Sequence, residues 1–205
     1  MRWSIAFSVA LMIATGQALA AQGDDPDWPC IQRKVPELSL GQIWNGPDLP
    51  ATAANWAKDA AIHALVQELA ARRLPLPEAQ QKIGSFAAGL PQGDREQRLA
   101  MLAQGLFDYM NHERSQVISG IARYARGQRD MAARIRREAS DLDALRSRPD
   151  TDQLALARRD EGLIFQTRIF QERAQSLTYV CEVPTLIEQR LYALAHTAAE
   201  AMKAN

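Results

Sequence analysis

Three histidines each stand four residues from a carboxylate: Asp59 with His63, Asp108 with His112, and His196 with Glu200. On a helix that spacing puts two side chains next to one another, and histidine–carboxylate groupings turned into a bundle core are how di-metal sites are built. A metal needs ligands that converge. On helical wheels Asp108 and His112 fall far from the apolar stripe of their own segment. His196 lies nearly opposite Leu191 and Leu194, and His63 sits on the flank of its apolar face. The expectation is solvated surface pairs, with no metal and no cofactor.

Covalent chemistry has no better footing. The chain contains no G-x-S-x-G elbow and no glycine-rich phosphate cradle, and GQIWNGP at residues 41–47 precedes no helix at the distance a cradle requires. Its acids are scattered along helical surfaces, without the desolvation that tunes a general acid. No catalytic residue is assigned. An enzyme with an unrecognised site ranks third, behind two binding functions.

Two cysteines, Cys30 and Cys181, are the remaining reactive groups, and neither sits in a C-x-x-C motif. The compartment decides their state. Residues 1–20, MRWSIAFSVALMIATGQALA, carry one positive charge at Arg2, an apolar run from about Ile5 to Ala14, and the small-x-small ending Ala18-Leu19-Ala20. This is the pattern of a cleavable export signal, too short to span a bilayer. No cysteine follows Ala20 to carry a lipid, so a periplasmic protein without a transmembrane segment is expected. In an oxidising compartment the two cysteines are most simply one disulfide. Such a bridge closes most of the chain into one loop, a constraint of about 4–5 kcal/mol in the chain-entropy model.

The 24 Lys and Arg balance the 24 Asp and Glu, and loss of Arg2 with the signal leaves 23 against 24. The whole-molecule field therefore selects no partner class. Locally the picture differs. Residues 123–148 hold eight arginines and four acids. The plain reading is a solvated helical face laced with pairs such as Arg134–Glu138 and Arg137–Asp141. The sharper reading is a docking face of Arg126, Arg134, Arg136 and Arg137 for an acidic protein surface or anionic lipid head groups. Nucleic acid is not expected, because stacking aromatics are not interleaved there.

The elements that would position these residues follow from composition and period. Residues 21–50 form the first region. Five of the ten prolines fall between Gly23 and Pro50, and each removes a donor and pushes its predecessor toward extended backbone. Trp28, Ile31, Val35, Leu38, Ile43 and Trp44 make the stretch too apolar for a disordered tail. An irregular arm docked on the rest of the protein satisfies both facts, with one turn of helix around LSLGQIW. Its aromatic residues also motivate the rival function, a small-molecule pocket between arm and bundle walled by Trp28, Trp44 and Trp56.

From residue 51 to 205 the chain reads as a helical bundle domain. Helices are expected from about Thr52 to Arg73, Leu76 to Leu90, Asp94 to Arg146, Thr151 to Cys181, and Thr185 to Met202, with the chain broken or kinked at Val183-Pro184 between the last two. The long middle segment carries one stripe: Leu99, Leu102, Leu106, Met110, Val117, Ile121, Tyr124, Met131, Ile135, Leu142. Unbroken, it would span roughly 80 Å, against about 40 Å for a compact domain of this size. Either Gly120 or Gly127 kinks it, or its second half projects as a hairpin arm. In the next helix Leu156, Leu163, Phe170 and Leu177 recur at sevens and form a seam facing its predecessor. Leu154, Phe165, Ile169 and Val180 make a second apolar side, which predicts a central helix contacted from two directions.

The fold expected is an all-α, up-and-down bundle with long helices and a proline-rich N-terminal arm packed on it. The function expected is that of an exported, non-enzymatic accessory or adaptor subunit of the cell envelope, acting by protein–protein contact.

Overall fold

A computed structural model describes residues 25–203; the expected export signal, residues 1–20, lies outside them. The protein is an all-α bundle, with no strand among the described residues. A single turn α1 (Leu40–Ile43) and a 3-10 helix (Ala51–Lys58) precede α2 (Ala60–Ala70) and α3 (Leu76–Ala88). Two long helices follow, α4 (Gln92–Arg146, 55 residues) and α5 (Gln153–Lys203, 51 residues).

Local chemistry explains most boundaries. Ser39 starts α1 through a capping box, its backbone N–H donating to Gln42 Oε1 at 2.8 Å. Pro77 sits in the first turn of α3, where a missing N–H costs nothing, and Gly89 follows its last residue. The helix expected from Thr52 to Arg73 is instead two pieces. Asp59 breaks it by adopting extended backbone and accepting the orphan N–H groups of Ala61 and Ile62 at 3.1 and 3.0 Å. The N–H of Ile62, with Arg98 beside it on α4, holds the Asp59 carboxyl below its usual pKa. At the other end α2 stops at Ala70, where Arg190 of α5 donates to the carbonyl of Leu69 at 2.9 and 2.7 Å.

The core is built from Ile62, Val66 and Leu69 of α2, Ala79 and Ile83 of α3, Leu99, Leu102, Leu106 and Met110 of α4, and Ile187, Leu191 and Leu194 of α5. It reaches as far as Val117 on α4 and begins at Val183 on α5. Beyond those points the two helices continue as an antiparallel hairpin, about 45 Å long at 1.5 Å per residue. The stripe on α4 is thus neither stopped nor interrupted at Gly120 or Gly127; the helix runs through both, and its second half projects. Ile121, Ala125, Met131 and Leu142 are buried against α5, while Leu156, Leu163, Phe170 and Leu177 are half-buried along the facing seam. Arg159–Glu138 at 2.8 Å and the Tyr124 hydroxyl donating to the Arg173 carbonyl at 3.2 Å fix the register.

Two expectations are corrected here. Pro184 does not separate two helices: α5 passes through it, and the proline is itself buried. The burial of Ile187, Leu191, Leu194 and Ala198 one turn and more beyond it offsets the lost hydrogen bond. Nor is the first half of α5 central. Leu154, Phe165 and Val180 are exposed, so this half touches α4 on one side only.

At Gly105 neighbouring side chains close in on the helix backbone. A Cβ there would lie 2.8 Å from a Val66 methyl and 2.9 Å from the Trp56 ring, which Asp108 holds through Nε1 at 2.9 Å. At Gly127 a Cβ meets nothing within 4 Å. Gly127→Ala therefore raises stability by up to about 1 kcal/mol through helix propensity. Gly105→Ala loses that gain to overpacking, which costs about 1–3 kcal/mol. Urea unfolding of the two variants checks this, and equal stabilisation of both would show that the Trp56 ring yields.

Candidate interaction surface

The arm, residues 25–50, lies along α4 in the opposite direction. Arg114 donates to the Val35 carbonyl at 2.7 Å, Ser115 to the Pro36 carbonyl at 2.8 Å, and the Leu38 N–H to Asn111 Oδ1 at 3.0 Å. These contacts satisfy polar groups that prolines leave without sheet or helix partners. Farther out, Asp27 accepts from Arg126 at 2.6 Å and from Arg129. Hydrogen bonds from Arg126 first, then Arg129, hold the Asp27 carboxyl below its ordinary pKa. Cys30 and Cys181 form a disulfide with Cα atoms 5.5 Å apart. It joins the arm to α5 at the base of the hairpin.

The predicted docking arginines divide into two groups. Arg126 serves the arm through Asp27. Arg134, Arg136 and Arg137 are exposed on the far half of the hairpin, and among the described residues they make no ion pair within 4 Å. The expected pair Arg134–Glu138 gives way to Arg159–Glu138 across the hairpin. Arg129 and the buried Arg114, with Glu188 at 3.4 Å, complete the arm's basic track. No sequence signal set them apart, because the fold decides which side of α4 faces the arm.

Trp28 and Trp56 do not meet. Trp28 accompanies Asp27 at the level of Arg126 and Arg129, with its Nε1 on the Gln32 carbonyl at 2.6 Å and the Lys34 ammonium 5.9 Å from its ring. Trp56 lies at the level of Gly105 and Asp108, about 30 Å away along α4. Trp44 turns its Nε1 to the Pro47 carbonyl at 2.6 Å and covers Gly46. A single pocket wall made of all three is corrected on this ground, since Trp28 stands apart from Trp56. A shallow cleft of about 390 Å³ does exist, lined by Arg72, Tyr109, His112, Glu113, Gln116, Val117 and Ile187.

Each histidine is also accounted for, and not by the carboxylate four residues away. His63 stacks on Trp56 at 5.8 Å, His112 Nε2 meets Gln116 at 2.9 Å, and His196 Nδ1 meets Asn45 at 3.0 Å. Asp59 is taken by its cap and Arg98, Asp108 by Trp56 and Gln104, and Glu200 by Lys203. Among the described residues no three of His, Cys, Asp and Glu gather at one point, and no helix is long and apolar enough to cross a membrane.

What this surface offers chemically is a projecting rod with guanidinium groups on α4 that are unpaired among the described residues and a mixed apolar and charged outer face on α5. No family model matches the chain, and neither a curated protein nor a solved structure matches it.

Proposed function

We propose that this chain is an exported, periplasmic, non-enzymatic adaptor that holds an acidic protein surface against the far half of its helical hairpin. The supporting observation is the set Arg134, Arg136 and Arg137, exposed on a projecting helical hairpin and unpaired among the described residues. Guanidinium groups in that state present forks that fit carboxylates without first breaking an internal pair. Export is supported by the leader sequence and by the disulfide, which persists in oxidising compartments.

The test begins with co-purification from the native envelope and identification of the bound protein by mass spectrometry. Replacing Arg134, Arg136 and Arg137 together by Glu leaves the unfolding midpoint nearly unchanged, since exposed substitutions lie within about 0.5 kcal/mol. Affinity for the identified protein falls at least about tenfold, with the on-rate and its salt dependence most affected. Unchanged affinity overturns the assignment of this face. Binding to anionic vesicles but to no protein makes the ligand a lipid head group and overturns the adaptor reading.

A further inference from the structure

The outer face of α5 carries a pattern that the arginine face of α4 does not explain. Ile164 is 69 % exposed, Phe165 64 % and Leu154 65 %, all on the side of the helix away from the half-buried seam. Arg158 and Glu161 precede the Ile164-Phe165 pair on this face, and Arg168 and Glu172 follow it. Read toward the C-terminus the order is basic, acidic, apolar pair, basic, acidic. Read backward it is acidic, basic, apolar pair, acidic, basic. Laid antiparallel on itself, every charge meets its opposite.

We propose that the occupant of this face is a second copy of the same chain, paired antiparallel along α5 about a two-fold axis between Ile164 and Phe165. Glu161 of one copy then faces Arg168 of the other, and Arg158 faces Glu172, each to within one residue, or about 1.5 Å of helix rise. The two-fold makes each contact occur twice. An axis between 158 and 161 pairs only Arg158 with Glu161 and one between 168 and 172 only Arg168 with Glu172, whereas the axis between Ile164 and Phe165 pairs all four. Parallel alignment stacks Glu161 on Glu161 and Arg168 on Arg168, and sliding the axis to 158, 161, 168 or 172 places like charges on it. Charge order of this kind sets orientation and register in helix pairs. Arg168 is at present paired with Glu172 of its own helix at 3.0 Å, but the two are 77 % and 61 % exposed. A pair so solvated exchanges partners readily. Arg158 and Glu161 have no ion pair within 4 Å among the described residues. Leu154 comes to lie against the helix near Gln175, so contact extends over about 30 Å of each helix. An interface of this size falls below about 1,200 Å² and belongs with weak, reversible association.

This pairing does not rest on the acidic-partner reading, because it uses neither Arg134, Arg136 nor Arg137. Sedimentation equilibrium of the oxidised mature chain, from micromolar concentration to about 1 mM, is expected to show a monomer–dimer equilibrium. Arg168→Glu alone, or Glu161→Arg alone, sets two like-charge contacts across the axis and weakens dimerisation at least tenfold, with helicity by circular dichroism unchanged. Mixing those two variants restores a one-to-one dimer, and the chain carrying both substitutions dimerises by itself. The Arg134, Arg136, Arg137 charge-reversed chain dimerises as the unaltered one does. A chain that stays monomeric throughout, or single variants that dimerise undiminished, or a mixture that stays monomeric, overturns the proposal.

Discussion

Replacing Cys30 and Cys181 together by serine lowers the free energy of unfolding by about 4 kcal/mol. The bridge spans 151 residues, so its loss returns to the unfolded chain nearly all the freedom that closing such a loop removes. The folded state changes less. Arg114, Ser115 and Asn111 still hold the arm from Val35 to Leu38, and Leu38 and Ile43 stay in the core. Release is confined to the stretch before Val35, where exposed contacts to Arg126 and Arg129 remain. Amide exchange should rise in residues 25–34 and not in residues 38–44, while Trp28 emission shifts to the red. Denaturant unfolding within 1 kcal/mol of the oxidised protein would show that the noncovalent contacts hold the arm unaided.

Pro184→Ala works in the other direction and raises stability by about 2 kcal/mol. A proline inside a helix is about 3 kcal/mol less favourable than alanine, because it lacks the N–H and crowds the preceding turn. The carbonyl left without its partner belongs to Val180, an exposed residue, so water access softens but does not remove the cost. Against this stands the buried pyrrolidine ring, whose loss sacrifices about 1 kcal/mol of apolar burial. Urea unfolding gives the sign, and slow exchange of the new amide at position 184 would confirm the restored bond. A neutral or destabilised variant means that the core from Ile187 onward depends on the path the proline imposes.

Periodicity made the long helices legible. The far part of the stripe, from Ile121 to Leu142, and the sevens from Leu156 to Leu177 are the two sides of one hairpin, and the expectation of oxidising export made the pairing of Cys30 with Cys181 readable from two residues alone. Three features were not readable, each for a physical reason. The break at Asp59 depends on a cap backed by Arg98, thirty-nine positions away, and helix propensity knows nothing of that contact. The continuity of α5 through Pro184 is decided by burial on both sides of it, which overrides a local rule. The exposure of Leu154 and Phe165 escaped because spacing tells which residues share a face, not whether anything covers it. The candidate site shows the same division: the arginine-rich segment was visible, but only the fold separates Arg126, bound to Asp27, from Arg134, Arg136 and Arg137.

The position of the Cys30–Cys181 bridge has a mechanical consequence. Cys181 stands just where α5 leaves the core, and Asp27 grips α4 a little farther out, so the proline-rich segment acts as a stay across the root of a lever. With the far end about 45 Å beyond that root, an angular wobble of roughly 5° displaces the tip by roughly 4 Å, enough to spoil a charge-matched contact. Reduction would thus loosen the aim of the whole projection while leaving its helices folded.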